Sequence, residues 1–208
     1  MRPEAPTEVS VLGAAMGYVL ASATGAMGFH TYDIERADAL EDPGRYEYVS
    51  VEELLALFEP SGVVADLGSG TGFYTDDVAP YAGTVHAVDV QAAMHDRYRE
   101  KGAPDSVRFV TAEAADLPFA DDALDGAVST MTYHEFASDA ALAELARVVS
   151  PGGLVGIADW SADGEGAVGP PRGERFAAAD AFGAFTEAGF TVERADERRE
   201  TFVLRARR

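Results

Sequence analysis

Two groups of residues in this chain have types and spacings suited to chemistry. The first is Asp66-Leu67-Gly68-Ser69-Gly70-Thr71-Gly72, together with Asp89, 17 residues beyond Gly72. Closely spaced glycines let the backbone turn tightly and approach a ligand with no Cβ in the way. The spacing is G-x-G-x-G. A dinucleotide fingerprint, G-x-G-x-x-G, needs glycine where this chain has Phe73, and a phosphate-gripping loop needs Gly-Lys-Ser/Thr, which is missing. The loop therefore suits a nucleoside-like ligand without a pyrophosphate. Asp66 sets a carboxylate beside it, able to hold an ammonium group through backbone or water, or to attract a sulfonium cation. Asp89 can accept hydrogen bonds from both hydroxyls of a ribose.

The second group is Tyr133-His134-Glu135 and Asp159-Trp160. His134 could act as a base oriented by Glu135 or Asp159; the plainer alternative is that it packs in the wall. Asp159 is either a cleft residue or an acid at a strand end. The four histidines, His30, His86, His95 and His134, show no metal-ligand spacing, and there is no Cys, so no metal site and no thiolate nucleophile are expected.

These residues need elements to position them. Ser50-Val51-Glu52-Glu53 fits a capping box, followed by Leu54, Leu55, Leu57 and Phe58 at helical spacing and a stop at Pro60-Ser61-Gly62. Strands are then expected at Val63 to Leu67, Thr84 to Val90, Val107 to Thr111, Leu124 to Thr130 and Leu154 to Ala158. Helices are expected near Tyr74 to Tyr81, Ala92 to Lys101, Asp139 to Val149 with Ser138 as cap, and Ala177 to Ala188. The Gly- and Pro-rich stretch 161–175 reads as a loop, in which Arg172 and Arg175 either meet an anionic group or face solvent. Two last strands, Phe190 to Arg194 and Thr201 to Ala206, allow an antiparallel hairpin. Alternation of this kind predicts an α/β, Rossmann-like, doubly wound, mostly parallel sheet with helices on both faces. It places both chemical groups at carboxyl ends of strands, where open α/β sheets bind ligands.

Residues 64–72 resemble the first motif of the class I S-adenosylmethionine (SAM)-dependent methyltransferases, in the UbiE and type 11 branch. Asp89 resembles that family's ribose-binding acid. Ala112-Glu113-Ala114-Ala115-Asp116-Leu117-Pro118-Phe119 resembles the segment whose acid contacts the adenine amino group, with Glu113 where Asp is common. Leu124-Asp125-Gly126-Ala127-Val128-Ser129 and Leu145-Ala146-Arg147-Val148-Val149-Ser150-Pro151-Gly152-Gly153 resemble the fourth-strand motif and the turn into the fifth. The resemblance implies a seven-stranded sheet with an antiparallel last strand over residues 50–208, and a helical N-terminal arm or lid over 1–49. It implies SAM as cofactor, held by Asp66, Gly68, Ser69, Gly70, Gly72, Asp89, Val90, Glu113 and Ala114. Tyr133, Glu135, Trp160 and Tyr32 are expected at the acceptor, and His134 and Asp159 in catalysis. The activity implied is transfer of methyl to a small molecule by in-line displacement, mainly through positioning. A SAM-binding sensor or partner subunit that transfers nothing is the alternative, and an NAD-dependent oxidoreductase is disfavoured by Phe73.

Charge narrows the partners. Lys+Arg is 16 against Asp+Glu 36, a net charge of −20, and Lys101 is the only lysine. Such a surface repels phosphate backbones, so no nucleic-acid partner is expected. Self-repulsion of this size is relieved by concentrated salt, which suggests a halophilic cytoplasm. The uncharged stretch Val9 to Phe29 is rich in Ala, Gly, Ser and Thr and lacks a basic flank, so it reads as a helical arm and neither as a membrane span nor as a signal peptide. Oligomeric state is not legible.

Overall fold

The structure is a computed structural model that describes residues 31–208. The stretch Val9 to Phe29, with Tyr18, and His30 lie outside the described residues. Seven strands form one sheet: β1 (Val63–Leu67), β2 (Thr84–Asp89), β3 (Val107–Thr111), β4 (Leu124–Thr130), β5 (Val149–Trp160), β6 (Thr191–Glu197) and β7 (Thr201–Arg207). Their order is β3-β2-β1-β4-β5-β7-β6. β1 to β5 are parallel, and β7 runs antiparallel to both β5 and β6. The chain winds outward from β1 in one direction and restarts at β4 in the other. That reversal opens a crevice at the carboxyl ends of β1 and β4.

Among the described residues, six α-helices flank the sheet: α1 (Val51–Phe58), α2 (Phe73–Val78), α3 (Ala92–Lys101), α4 (Tyr133–Phe136), α5 (Asp139–Val148) and α6 (Ala178–Glu187). Side-chain alternation along the strands divides the core between two faces. Val64, Val85, Ala87, Val128 and Val203 pack with Leu54, Leu57 and Phe58 of α1 and with Tyr74 and Tyr98 of α2 and α3. Ala65, Ala127, Val155, Phe202 and Leu204 pack on the other face with Leu142 and Leu145 of α5 and Phe185 of α6. Both layers are buried, as a parallel sheet requires.

The predicted caps are present. Ser50 Oγ accepts from Glu53 N at 3.2 Å, and Ser138 Oγ accepts from Ala141 N at 3.2 Å. Several boundaries differ from expectation, three of them for clear local reasons. The helix expected to Tyr81 ends at Val78 and continues as a 3-10 turn, Ala79–Tyr81, through Pro80. β5 begins at Val149, because Val149 already pairs with Leu124 and Pro151-Gly152-Gly153 forms an irregularity inside the strand. β6 begins at Thr191, since Phe190 N is tied to Phe185 O at 3.0 Å at the end of α6. Before α1, the described part of the N-terminal region is not α-helical. It forms two 3-10 segments, Ile34–Glu41 and Pro43–Glu47.

Candidate functional site

The loop after β1 is tied to β2 before it reaches the crevice. Gly68 N and Ser69 N both donate to Val88 O, at 2.8 and 3.0 Å. Gly68 has φ +76°, and a Cβ there would lie 2.2 Å from the Thr132 methyl. The turn thus passes β4 at a distance only glycine allows. Gly72 has φ +83° and starts α2; a Cβ there would lie 2.1 Å from the Tyr98 ring. Gly72 packs against Tyr98 and is not among the residues that line the cleft.

Asp89 at the end of β2 is nearly buried and lines the cleft. Its Oδ2 accepts from Gly70 N at 2.9 Å, and its Oδ1 from Gln91 N at 2.8 Å. Burial pushes its carboxyl above the ordinary range, and the two backbone donors pull it partly back. Ser69 Oγ and Thr71 Oγ1 line the same cleft, are buried, and have no hydrogen-bond partner among the described residues. Buried hydroxyls are ordinarily satisfied, so this loop is built to meet a polar ligand. Asp66 lies beneath the loop, 2 % exposed, its Oδ2 accepting from Thr75 Oγ1 at 2.6 Å. Burial pushes its pKa up to about 6. It is not among the cleft-lining groups.

The rest of the cleft comes from four places. Thr31, Tyr32, Leu40 and Arg45 arrive from the N-terminal segment, Val90, Gln91 and Met94 from β2 and α3, Ala112 and Ala114 from beyond β3, and Thr130, Met131, Thr132, Glu135 and Phe136 from beyond β4. Arg45 is the only Lys or Arg among these lining residues. Its guanidinium sits 5.0 Å over the Phe73 ring and 4.9 Å over the Tyr74 ring and donates to Leu40 O at 2.7 Å. Several contacts hold its segment down. Gln91 Nε2 donates to Tyr32 O at 3.1 Å, Tyr46 OH to Asp77 at 2.8 Å, and Tyr74 OH to Arg45 O at 2.9 Å.

Of the residues expected at the site, Gly68, Ser69, Gly70, Asp89, Val90, Ala114, Tyr32 and Glu135 line the cleft. Others are placed elsewhere. Glu113 is exposed and outside the lining, while its neighbours Ala112 and Ala114 face inward. Tyr133 is buried against Phe136, Phe176, Phe185 and Phe202 in the core. Trp160 is buried on the other face of the sheet, against Tyr48. His134 and Asp159 are brought together, but behind the wall. Asp159 is fully buried and accepts from His134 N at 2.6 Å, and its carboxylate lies 2.9 Å from His134 Nδ1. Burial alone would push the imidazole down; Asp159 and then Glu135 carry it up to about 10. His134 thus lies behind the cleft wall between two carboxylates and is not among the cleft-lining residues. Arg175 is also no anion receptor: it is buried, donating to the carbonyls of Pro170, Ser161 and Val168.

Sequence reasoning missed Arg45, Gln91 and the Thr130 to Thr132 corner. Arg45 had one signal, its place in an aromatic-rich stretch, Arg45-Tyr46 and Tyr48, but no spacing tied it to the glycine loop.

Residues 65–157 match a family described as a methyltransferase domain. The chain is 33% identical over 104 residues to a demethylmenaquinone methyltransferase of Corynebacterium kroppenstedtii, covering 50% of this chain and 44% of that one. It thus spans less than half the length of that curated relative. Among solved structures it superposes on a SAM-dependent methyltransferase of Aquifex aeolicus with a TM-score of 0.76 and 28% identity, over 85% of this chain and 98% of that one. A structure of a putative methyltransferase with the Haloferax volcanii Trm112 activator gives a TM-score of 0.70 at 20% identity, over 84% and 96%, a likeness of fold. Residues 65–157 thus match a methyltransferase domain, on a chain with the fold of the SAM-dependent methyltransferases. No helix among the described residues is long and apolar enough to cross a membrane.

Proposed function

We propose that the protein transfers a methyl group from SAM to a small-molecule acceptor, as a member of the UbiE and type 11 branch. The observation that carries this reading is the glycine loop, where Asp89 and the unpartnered hydroxyls of Ser69 and Thr71 face one cleft. In this reading Asp89 holds the ribose, and Val90, Ala112 and Ala114 pack on the adenine. Arg45 pairs with the carboxylate of the methionine part, and Asp66 lends negative potential beneath it. Residues 50–208 form the catalytic domain, and residues 1–49 a separate N-terminal region, of which Thr31, Tyr32, Leu40 and Arg45 line the cleft.

When bound, SAM supplies a methyl carbon already activated by a sulfonium leaving group. The protein's task is then to align the acceptor and exclude water. Apolar Leu40, Met131 and Phe136 serve exclusion, and Arg45 keeps the methionine part in place. The net charge of −20 supports action in a salt-rich cytoplasm and disfavours polyanionic acceptors.

Calorimetric titration with SAM and with S-adenosylhomocysteine in molar KCl tests the reading. Micromolar affinity for both is expected. A folded sample that binds neither overturns it.

A further inference from the structure

Resting on that reading, we propose that Glu135 receives the acceptor: a carboxylate fixed from behind by His134 and Asp159, which selects an uncharged acceptor bearing an O–H or N–H and takes its proton. The three side chains form one row from core to cleft. Asp159, at the end of β5, has both oxygens committed. Oδ2 accepts from His134 N at 2.6 Å and lies 2.9 Å from Nδ1, and Oδ1 accepts from Trp160 N at 2.7 Å. On the far side of the ring, His134 Nε2 lies 3.3 Å from Glu135 Oε1. Side-chain exposure rises along the row, from 0% for Asp159 to 4% for His134 and 16% for Glu135. Only Glu135 reaches the cleft.

The backbone that presents it is equally constrained. Met131 turns the chain out of β4 with φ +57°, a conformation costly for a side chain with a Cβ. Its N–H donates to Ala158 O at 2.8 Å, and Glu135 N donates to Thr132 O at 2.9 Å. Thr132 in turn abuts Gly68 of the cofactor loop. Glu135 is thus locked to the same corner that carries the glycine loop.

This arrangement decides what the carboxylate can do. The imidazole ring, buried between two carboxylates, does not line the cleft and meets no acceptor. Its Nε2 lies 3.3 Å from Oε1 of Glu135, which leaves the carboxylate a second oxygen for a ligand. An acceptor hydroxyl or amine can donate to it. As the acceptor atom bonds the methyl carbon, the carbon–sulfur bond breaks with its electron pair remaining on sulfur. The acceptor's proton passes to Glu135 and from there to solvent. A carboxylate or phosphate acceptor meets repulsion instead, because the one Lys or Arg of the cleft lining, Arg45, lies over Phe73 and Tyr74 beside the glycine loop. Glu135 is the proposed catalytic residue; His134 and Asp159 position it.

The test uses the full chain saturated with S-adenosylhomocysteine, so that cofactor binding is measured first and separately. Matched pairs of probes are then titrated by calorimetry: phenol against benzoate, and 2-naphthol against 2-naphthoate. The hydroxyl member of at least one pair should bind about 10- to 150-fold more tightly than its carboxylate, the worth of a charged hydrogen bond. Glu135→Gln should erase that difference without changing S-adenosylhomocysteine affinity, and Glu135→Asp should restore part of it. The His134 imidazole, followed by nitrogen NMR, should titrate at lower pH in Glu135→Gln. Equal binding within every pair, binding by neither hydroxyl, or a preference that survives Glu135→Gln overturns the proposal while leaving the SAM reading intact. An unchanged His134 titration removes the contact on which it stands. Failure to bind S-adenosylhomocysteine at all sinks the SAM reading instead.

Discussion

The two ends of the cleft are built from different materials. At the cofactor end, the ligating groups are backbone turns, short hydroxyls and one carboxylate, held by main-chain bonds such as Gly68 N and Ser69 N to Val88 O. At the proposed acceptor end, the half-buried carboxylate of Glu135 is backed by buried charges, with His134 and Asp159 at 2.9 Å. A site made of backbone survives the loss of one side chain in its fold and loses affinity. A site made of a buried ion pair loses its fold first. On the proposed reading, the cofactor sits on a main-chain frame and the acceptor contact on a buried charge network that the fold itself needs.

The largest effect is expected where that network is cut. Replacing Asp159 with Ala leaves the His134 cation buried beside Glu135 alone and frees the N–H groups of His134 and Trp160. Removing one partner of a buried pair costs about 3–5 kcal/mol. Urea unfolding in molar KCl should show a loss of this size, while the fraction that remains folded keeps its S-adenosylhomocysteine affinity. A loss below about 1 kcal/mol, the range of exposed pairs, would place this pair with the surface bridges and remove the contrast between the two ends.

The cofactor end should answer in the opposite way. Asp89→Ala is expected to weaken SAM by about 10- to 150-fold, from loss of a charged hydrogen bond to the ribose. Its cost in stability should be smaller than that of Asp159→Ala, since burial already holds the Asp89 carboxyl above its ordinary range. Calorimetry and unfolding on the same preparation decide this. Unchanged affinity in the folded variant would end the ribose assignment. A stability loss equal to that of Asp159→Ala would mean that both ends rest on buried charge.

The same contrast explains what could be read in the sequence. Strands, caps and the glycine loop were legible because each is set by local rules: alternating burial, Ser50 and Ser138 as caps, and close approaches at glycine. Asp89 was legible because a strand end fixes its direction. The proposed acceptor end was legible as a set of residues, but not which of them line the cleft. His134 and Asp159 were expected to meet, and they do. Which of the adjacent residues Tyr133, His134 and Glu135 faces the cleft depends on the single turn α4 and on the left-handed Met131 that precedes it. Neither leaves a periodic trace. Tyr133 went to the core because four aromatic rings from α4, α6, β7 and the loop before α6 converge there. Arg45 escaped because its partners, Phe73 and Tyr74, are distant in sequence and the 3-10 segments that deliver it carry no amphipathic pattern.

The smallest expected effect lies beneath the glycine loop and concerns pH. Asp66 is buried, and that burial raises its pKa to about 6, against a hydrogen bond from Thr75 that lowers it. In the native protein its neutral form is therefore favoured relative to the unfolded chain. Its ionisation costs stability in full above pH 6, and that cost is relieved as pH falls from about 6 toward 3.8. Cofactor binding should carry the opposite sign. A sulfonium and an ammonium placed over the loop favour the carboxylate, so binding below pH 6 must first expel the proton. Affinity for SAM should be flat above about pH 7 and fall by about tenfold per pH unit below 6, since one pKa unit corresponds to about 1.4 kcal/mol. Asp66→Asn keeps an acceptor for Thr75 and has no proton to lose, so its affinity should be lower at neutral pH and should not show this slope. If wild-type affinity fell identically in Asp66→Asn, the pH dependence would belong to another group, and Asp89, also raised by burial and directly in the cleft, would be its source.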